Sequence, residues 1–280
     1  MILVYFCDQI YKESDMKLKF STLFASALLL MASCGSGDNK ELTFEPITVD
    51  KTVKLSNDET SPDCSVSLKM MSANEENNEA AKQINTTVTE RLLNARDVTM
   101  KTAAEEFAEN YTKTYKSNLL PLYNQDRADT TKRAWYDYHY IILSETQPGS
   151  KGTVVYLATV DYYEGGTHGQ NQLITMNFDT TTGKLLTLSD IFINGYEQEL
   201  TATLLKALKE KTGVKTMGEL KEKGYLTAMD MFPAENFILG EETITFVYNP
   251  YEIAPYTMGS TELTISFSDV ERILKNSFDY

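Results

Sequence analysis

The chain has 280 residues, enough to bury a sizeable core in one large domain or two small ones, and its 42% hydrophobic and 24% charged composition is that of an ordinary globular protein. A net charge of −14 argues against a nucleic-acid backbone as partner and would suit a basic one. Three cysteines and two histidines give no disulfide framework and no metal-ligand spacing, so neither a metal nor another cofactor is expected.

The N-terminus reads as a processing segment. From Met16, the expected initiator, Lys17 and Lys19 precede an apolar run over 20–31 and then Ala32-Ser33-Cys34. That run is too short to span a bilayer permanently. Residues 1–33 resemble a bacterial lipoprotein signal, although Met31 stands where leucine is commoner. The resemblance implies that Cys34 is lipid-modified (palmitate among the acyl groups), becomes the new N-terminus and anchors the protein in the cell envelope, most simply at the outer membrane. Residues 34–42, with Gly35-Ser36-Gly37, form a polar tether.

Strands are predicted over 44–55 and, after a turn at Pro62-Asp63, over 64–71, where Cys64 sits in the alternating pattern of a strand rather than in the setting of a nucleophile. Ala81, Ile84, Val88 and Leu92 recur at helical spacing. A second helix is predicted over 99–119, with Ala103, Phe107, Tyr111 and Tyr115 as a core stripe and Pro121 as its end. An aromatic strand should run from Trp135, with His139 as a structural side chain, and Gln147-Pro148-Gly149 should turn it into a hairpin that returns to Tyr163. In that return, Val154, Tyr156, Ala158, Val160 and Tyr162 alternate with Thr153, Thr159 and Asp161, as in a half-buried strand. Glu164-Gly165-Gly166-Thr167-His168-Gly169 is a sharp corner, followed by a strand with Ile174, Met176 and Phe178 and a tight loop closed by Gly183. Pairing should resume near Leu185 and break at a helical cap around Ser189-Asp190. A helix over 197–211 ending at Gly213, a short one at 220–223, strands at 237–239, 243–248 and 262–267, and a last helix capped by Ser268 complete the chain.

Two ordered blocks carry a resemblance. Tyr163-Glu164-Gly165-Gly166-Thr167-His168, followed by Asn177-Phe178-Asp179 and Gly183-Lys184 through Asp190-Ile191-Phe192, is similar to the DUF3298 family. So is the closing block over 236–259 (NFILGEETITFVYNPYEIAPYTMG). That domain also occurs in lysozyme-sensing RsiV-type anti-sigma factors and in PdaC-type peptidoglycan deacetylases, and the segment before it resembles the DUF4163-type partner domain. The expected fold class is α+β, with antiparallel sheets and helices packed on one side. Two sub-domains are expected, DUF4163-like over 43–148 and DUF3298-like over 149–280.

Two loops are candidates for function. The corner could present Tyr163, Glu164 and His168, or serve only the bend. The segment 249–256, stiffened by Pro250 and Pro255, could present Tyr251, Glu252 and Tyr256, or simply seal the sheet. If the two lie together, the binding reading gains. No nucleophile elbow, His-Glu-x-x-His helix or phosphate loop is present, and no catalytic residue is assigned. The resemblance thus implies a non-enzymatic, lipid-anchored envelope module binding a lysozyme-like protein or a peptidoglycan glycan, attached to the membrane only through its lipid. The alternatives are a glycan hydrolase in which Glu164 or Asp161 would be one of two paired carboxylates, and a structural lipoprotein with both loops packed away.

Overall fold

Alternating apolar and polar residues build the first hairpin, from Phe44–Lys54 (β1) and Asp63–Ala73 (β2), in register from Phe44 opposite Ala73 to Lys54 opposite Asp63. The architecture is that of a computed structural model in which residues 42–278 and Tyr280 are described. The signal segment 1–33, the lipidation candidate Cys34 and the tether up to residue 41 lie outside the described residues.

Two helices follow β2. The first, Glu79–Leu93 (α1), begins at Asn78, whose side chain accepts from the Ala81 N–H, and its predicted stripe of Ala81, Ile84, Val88 and Leu92 is buried. The second, Met100–Asp126 (α2), contains Pro121 instead of ending there. A proline inside a helix costs about 3 kcal/mol. The turn beyond it, however, sets the Tyr123 ring 5.4 Å from that of Tyr136, in a cluster with Leu55, Cys64 and Tyr115. Burying one such ring stabilises by about 1.5–3 kcal/mol, which offsets the break. The aromatic strand also starts later than expected. Thr130–Tyr136 is a 3-10 helix that leaves Trp135 exposed and turns Tyr136 inward to donate its hydroxyl to Asp126.

Tyr138–Pro148 (β3), Thr153–Tyr163 (β4), Gln170–Asp179 (β5) and Leu185–Leu186 (β6) complete a six-stranded sheet in the order β1-β2-β3-β4-β5-β6. Neighbours are antiparallel except β2 and β3, which run parallel because α1 and α2 carry the chain from the end of β2 back to the end of the sheet where β2 began, so that Tyr138 starts beside Cys64. The turn at residue 149, where the sequence places a boundary between sub-domains, joins two strands of this one sheet. In β4, Tyr156, Ala158 and Val160 face the helices as predicted, but Val155 and Leu157 on the other face are buried too. The second sheet covers them.

The rest of the chain holds a second core. Leu188–Ile191 (α3) is capped by Thr187 with Asp190, two residues ahead of the expected cap. Glu197–Thr212 (α4) ends on left-handed Gly213, and Met217–Glu222 (α5) brings in Leu220. These helices pack Leu200, Leu204, Leu208 and Leu220 against Phe237 and Phe246 of a three-stranded antiparallel sheet: Phe237–Leu239 (β7), Thr243–Tyr248 (β8) and Thr261–Ser266 (β9). The predicted last helix is two 3-10 turns, the first capped by Ser266 rather than Ser268; Val270, Ile273 and Leu274 are buried as expected.

Side-chain amides join the two parts. Because β6 covers only Asn177 and Phe178, the edge of β5 at Leu173 and Thr175 has no strand beside it. Asn236 takes the Thr175 N–H on Oδ1 (2.7 Å) and donates to the Leu173 carbonyl (2.7 Å). Asn249 takes the Leu173 N–H (2.8 Å) and donates to the same carbonyl (3.0 Å). Two amides thus stand in for a missing strand and satisfy an edge that would otherwise be open.

Candidate functional site

The amides that close the β5 edge also place the second candidate loop. Asn249 begins it, and the turn that follows is held by the Tyr251 N–H on Ala254 O (2.9 Å) and the Glu252 N–H on Asn249 O (3.1 Å). Ile253 and Ala254 are buried, and the Ile253 carbonyl accepts from the Leu226 N–H, so the loop is anchored from below. Tyr251 sits at its tip with φ of 74°, a conformation rare for a bulky side chain, and is 58% exposed.

The glycine corner comes to meet this loop. Gly165 and Gly166 both have positive φ, and a Cβ on Gly165 would lie 2.9 Å from the Trp135 carbonyl oxygen, so here the glycines are required by the bend. His168, beyond the bend, stacks on Tyr256 with ring centroids 3.9 Å apart and planes 18° apart. Its Nε2 lies 3.1 Å from the Tyr251 hydroxyl and its Nδ1 2.8 Å from the Gly169 carbonyl oxygen. A carbonyl can only accept, so the neutral ring carries its proton on Nδ1, and Nε2 receives the Tyr251 O–H. Three rings distant in sequence thus form one surface cluster, with Tyr251 and His168 exposed and Tyr256 half-buried.

The other predicted residues have different positions. Tyr163 donates its hydroxyl to the Gly166 carbonyl (3.0 Å) and stacks beside His139, which makes it part of the corner's own frame. Glu252 turns inward, and its Oε2 accepts the Asn249 N–H (2.7 Å). Burial pushes its carboxyl up, and that hydrogen bond counters the effect only in part. Its role is to hold the loop. Glu164 leaves the sheet on the helix side, where Oε1 accepts the Tyr111 hydroxyl (2.9 Å) at the edge of a groove along α2. Asp161 lies on the opposite face, fixed by His139 Nε2 (2.8 Å) and Asn171 Nδ2 (3.0 Å). Burial pushes its carboxyl up, but these two hydrogen bonds outweigh burial and hold it below the ordinary carboxylate value. Asp161 and Glu164 therefore engage different partners on different faces and are not a catalytic pair. Cys64 is fully buried, its thiol pushed up to about 12 by burial and by the nearby Asp63 and Glu164 carboxylates.

Sequence reasoning missed the groove itself. Its aromatic wall, Phe107, Tyr111 and Tyr115, is the stripe read as core. The stripe is indeed packed, with the Phe107 ring 4.9 Å and the Tyr111 ring 5.2 Å from that of Tyr140, yet one side of it lines the groove. Among the described residues no three His, Cys, Asp or Glu side chains are grouped as metal ligands, and no helix is long and apolar enough to cross a membrane.

Comparison with known proteins bears on this geometry. A crystal structure of a DUF3298 member from Bacteroides fragilis superposes with a TM-score of 0.78 at 30% identity, covering 84% of this chain and 94% of that one. The chain belongs to the DUF3298 family. The model of that family, described as a protein of unknown function, matches residues 189–268, from α3 through β9. A DUF3298 structure from Pseudomonas aeruginosa PAO1 shares the fold, with a TM-score of 0.57 at 17% identity over 86% of this chain and 97% of that one. The peptidoglycan-N-acetylmuramic acid deacetylase PdaC of Bacillus subtilis (strain 168) is 25% identical over 181 residues, 64% of this chain; the match spans only 37% of that protein's length. The DUF3298 match includes the loop with Tyr251 and Tyr256, while His168 comes from the strand pair that precedes it.

Proposed function

We propose that this DUF3298 protein is a non-enzymatic binding module of the bacterial cell envelope, lipid-anchored through Cys34, and that its recognition surface is the His168–Tyr251–Tyr256 cluster. The ligand is a cell-wall glycan. The observation that carries this reading is the exposed, stacked and hydrogen-bonded ring set, held on an anchored loop with Tyr251 in a strained conformation. Flat aromatic faces with polar edges suit the apolar faces and hydroxyl rims of sugars, and a loop fixed in advance loses little entropy on binding. The partial likeness to a peptidoglycan deacetylase supports a cell-wall setting. Residues 43–148 then form the DUF4163-like part of the module, with α1 and α2 against the sheet.

A second reading, a basic lysozyme-like protein as the partner, is favoured by the net charge of −14. One experiment separates the two. Purified protein is sedimented with insoluble peptidoglycan and, separately, titrated with lysozyme, each with wild type, Tyr251→Ala and His168→Ala. The glycan reading predicts co-sedimentation that falls at least about tenfold in both variants, since each removes a ring from the platform. Binding to lysozyme alone would shift the assignment to the protein partner, and binding to neither would refute the module.

A further inference from the structure

Helix α2 carries two parallel rows of side chains along one flank, each spaced by four residues. Phe107, Tyr111 and Tyr115 make an aromatic row; Glu106, Asn110, Thr114 and Asn118 make a polar one. At a rise of about 1.5 Å per residue, successive members of a row are about 6 Å apart along the axis. The turn after α1, Tyr138 and Glu164 supply the other walls of a groove of 680 Å³. That volume falls within the roughly 300–1,000 Å³ of small-ligand sites. His168, Tyr251 and Tyr256 do not line it.

Glu164 gives the groove its chemistry. The Tyr111 hydroxyl fixes Oε1, while Oε2 has neither a hydrogen bond nor an ion pair among the described residues. Tyr138 stands beside it, its hydroxyl 3.6 Å from where a Cβ on Gly165 would be. Glu106 adds a second carboxylate to the lining. Among the described residues the one cation of the lining is Arg96, which is paired with Glu90. A carboxylate held on one oxygen by a tyrosine hydroxyl, with its other oxygen open, attracts an ammonium group by charge and by hydrogen bonding. The polar row, with its amides and hydroxyl, offers donors and acceptors to a ligand rich in hydroxyls.

We propose that this groove binds a saccharide bearing a free ammonium group, an amino sugar without its N-acetyl, with the ammonium on Glu164 between Tyr111 and Tyr138 and the sugar hydroxyls along Asn110, Thr114 and Asn118. An N-acetylated sugar is rejected because its neutral acetamide would cover Glu164 without pairing it, and an unpaired carboxylate is costly to desolvate. A basic polypeptide supplies the charge but leaves the polar row without hydroxyl partners. The site goes beyond the aromatic cluster and does not depend on it.

The test is calorimetric titration of the purified chain at pH 6 with three probes: a β-1,4-linked glucosamine tetramer, its fully N-acetylated counterpart, and tetralysine. Wild type is expected to bind the glucosamine tetramer at least about tenfold more tightly than the acetylated one. Glu164→Gln, with its melting curve checked, should abolish that preference, Tyr111→Phe should weaken it, and Tyr251→Ala should leave it intact. Equal affinity for the two sugars overturns the proposal, as does an unchanged preference in Glu164→Gln or no binding of the glucosamine tetramer. Binding of tetralysine alone would make the groove a dock for basic polypeptide. Cleavage of the tetramer on prolonged incubation would make it a hydrolase cleft. Either result would also overturn the proposal.

Discussion

Asn236 holds the second sheet to the first, and Asn236→Ala isolates that role. The substitution removes the acceptor for the Thr175 N–H (2.7 Å) and hydroxyl (2.9 Å) and the donor to the Leu173 carbonyl (2.7 Å). Two groups keep partners: the Thr175 hydroxyl still donates to the Phe237 carbonyl, and Leu173 O still accepts from Asn249. What is orphaned is the N–H of Thr175, a residue 4% exposed, and the carbonyl of fully buried Val247 also loses the Asn236 amide donor (3.3 Å). Leaving a buried donor unsatisfied costs about 1–3 kcal/mol, and the lost bonds add about 1 kcal/mol, for a total of about 2–4 kcal/mol. With a urea slope of about 2 kcal/mol per molar, the middle of the usual range, the unfolding midpoint should fall by about 1–2 M at unchanged slope. A shift below about 0.3 M would show that water serves the β5 edge as well as the amide does, and the strand-substitute argument would fail.

Three other predictions concern the same frame. Gly152 and Gly183 have nearly equal φ, 70° and 71°, but a Cβ on Gly152 meets nothing while one on Gly183 would lie 2.2 Å from the Ala80 carbonyl oxygen. Gly152→Ala should cost about 1–2 kcal/mol, and Gly183→Ala about 1–3 kcal/mol more by thermal or urea unfolding; equal losses would deny the loop–helix contact. Cys64 should resist iodoacetamide at pH 8 in the native protein and react once urea unfolds it, since its thiol is buried and raised to about 12. Asp161 titrates below its ordinary 3.8, so its stabilisation is fully present above that value and is lost as pH falls through the lowered folded one. Asp161→Asn should therefore flatten the acid limb of the stability–pH curve below about pH 4, and an unchanged limb would contradict the His139–Asp161–Asn171 network.

Local chemistry was legible in the sequence, and long-range placement was not. Gly183 and Gly213 act at their predicted turns because left-handed backbone depends on neighbours a few residues away. Pro121 was misjudged because the contact that offsets it, Tyr123 on Tyr136, lies beyond the helix it was expected to end. The parallel pairing of β2 with β3 carries no local signature, since alternation is the same in either direction. Periodicity marked the α2 stripe as a packed face, but it gives no information on how far its neighbours cover it, and the groove lies on the uncovered side. Both halves of the aromatic cluster were singled out from composition. Their meeting, across 83 residues, depends on Asn249 docking at an unpaired strand edge, which no motif announces.

The most direct test of the recognition surface is Tyr251→Gly. Glycine accepts φ of 74° without strain, and this relief offsets the lost His168 contact and glycine's extra unfolded-state entropy, so the melting temperature should change little while the exposed ring is removed. Titrated with soluble peptidoglycan fragments, this variant is predicted to bind at least about tenfold more weakly than wild type. Wild-type affinity in a variant of undiminished stability would contradict the account, because the ring that the fold holds in a strained conformation would then play no part in recognition.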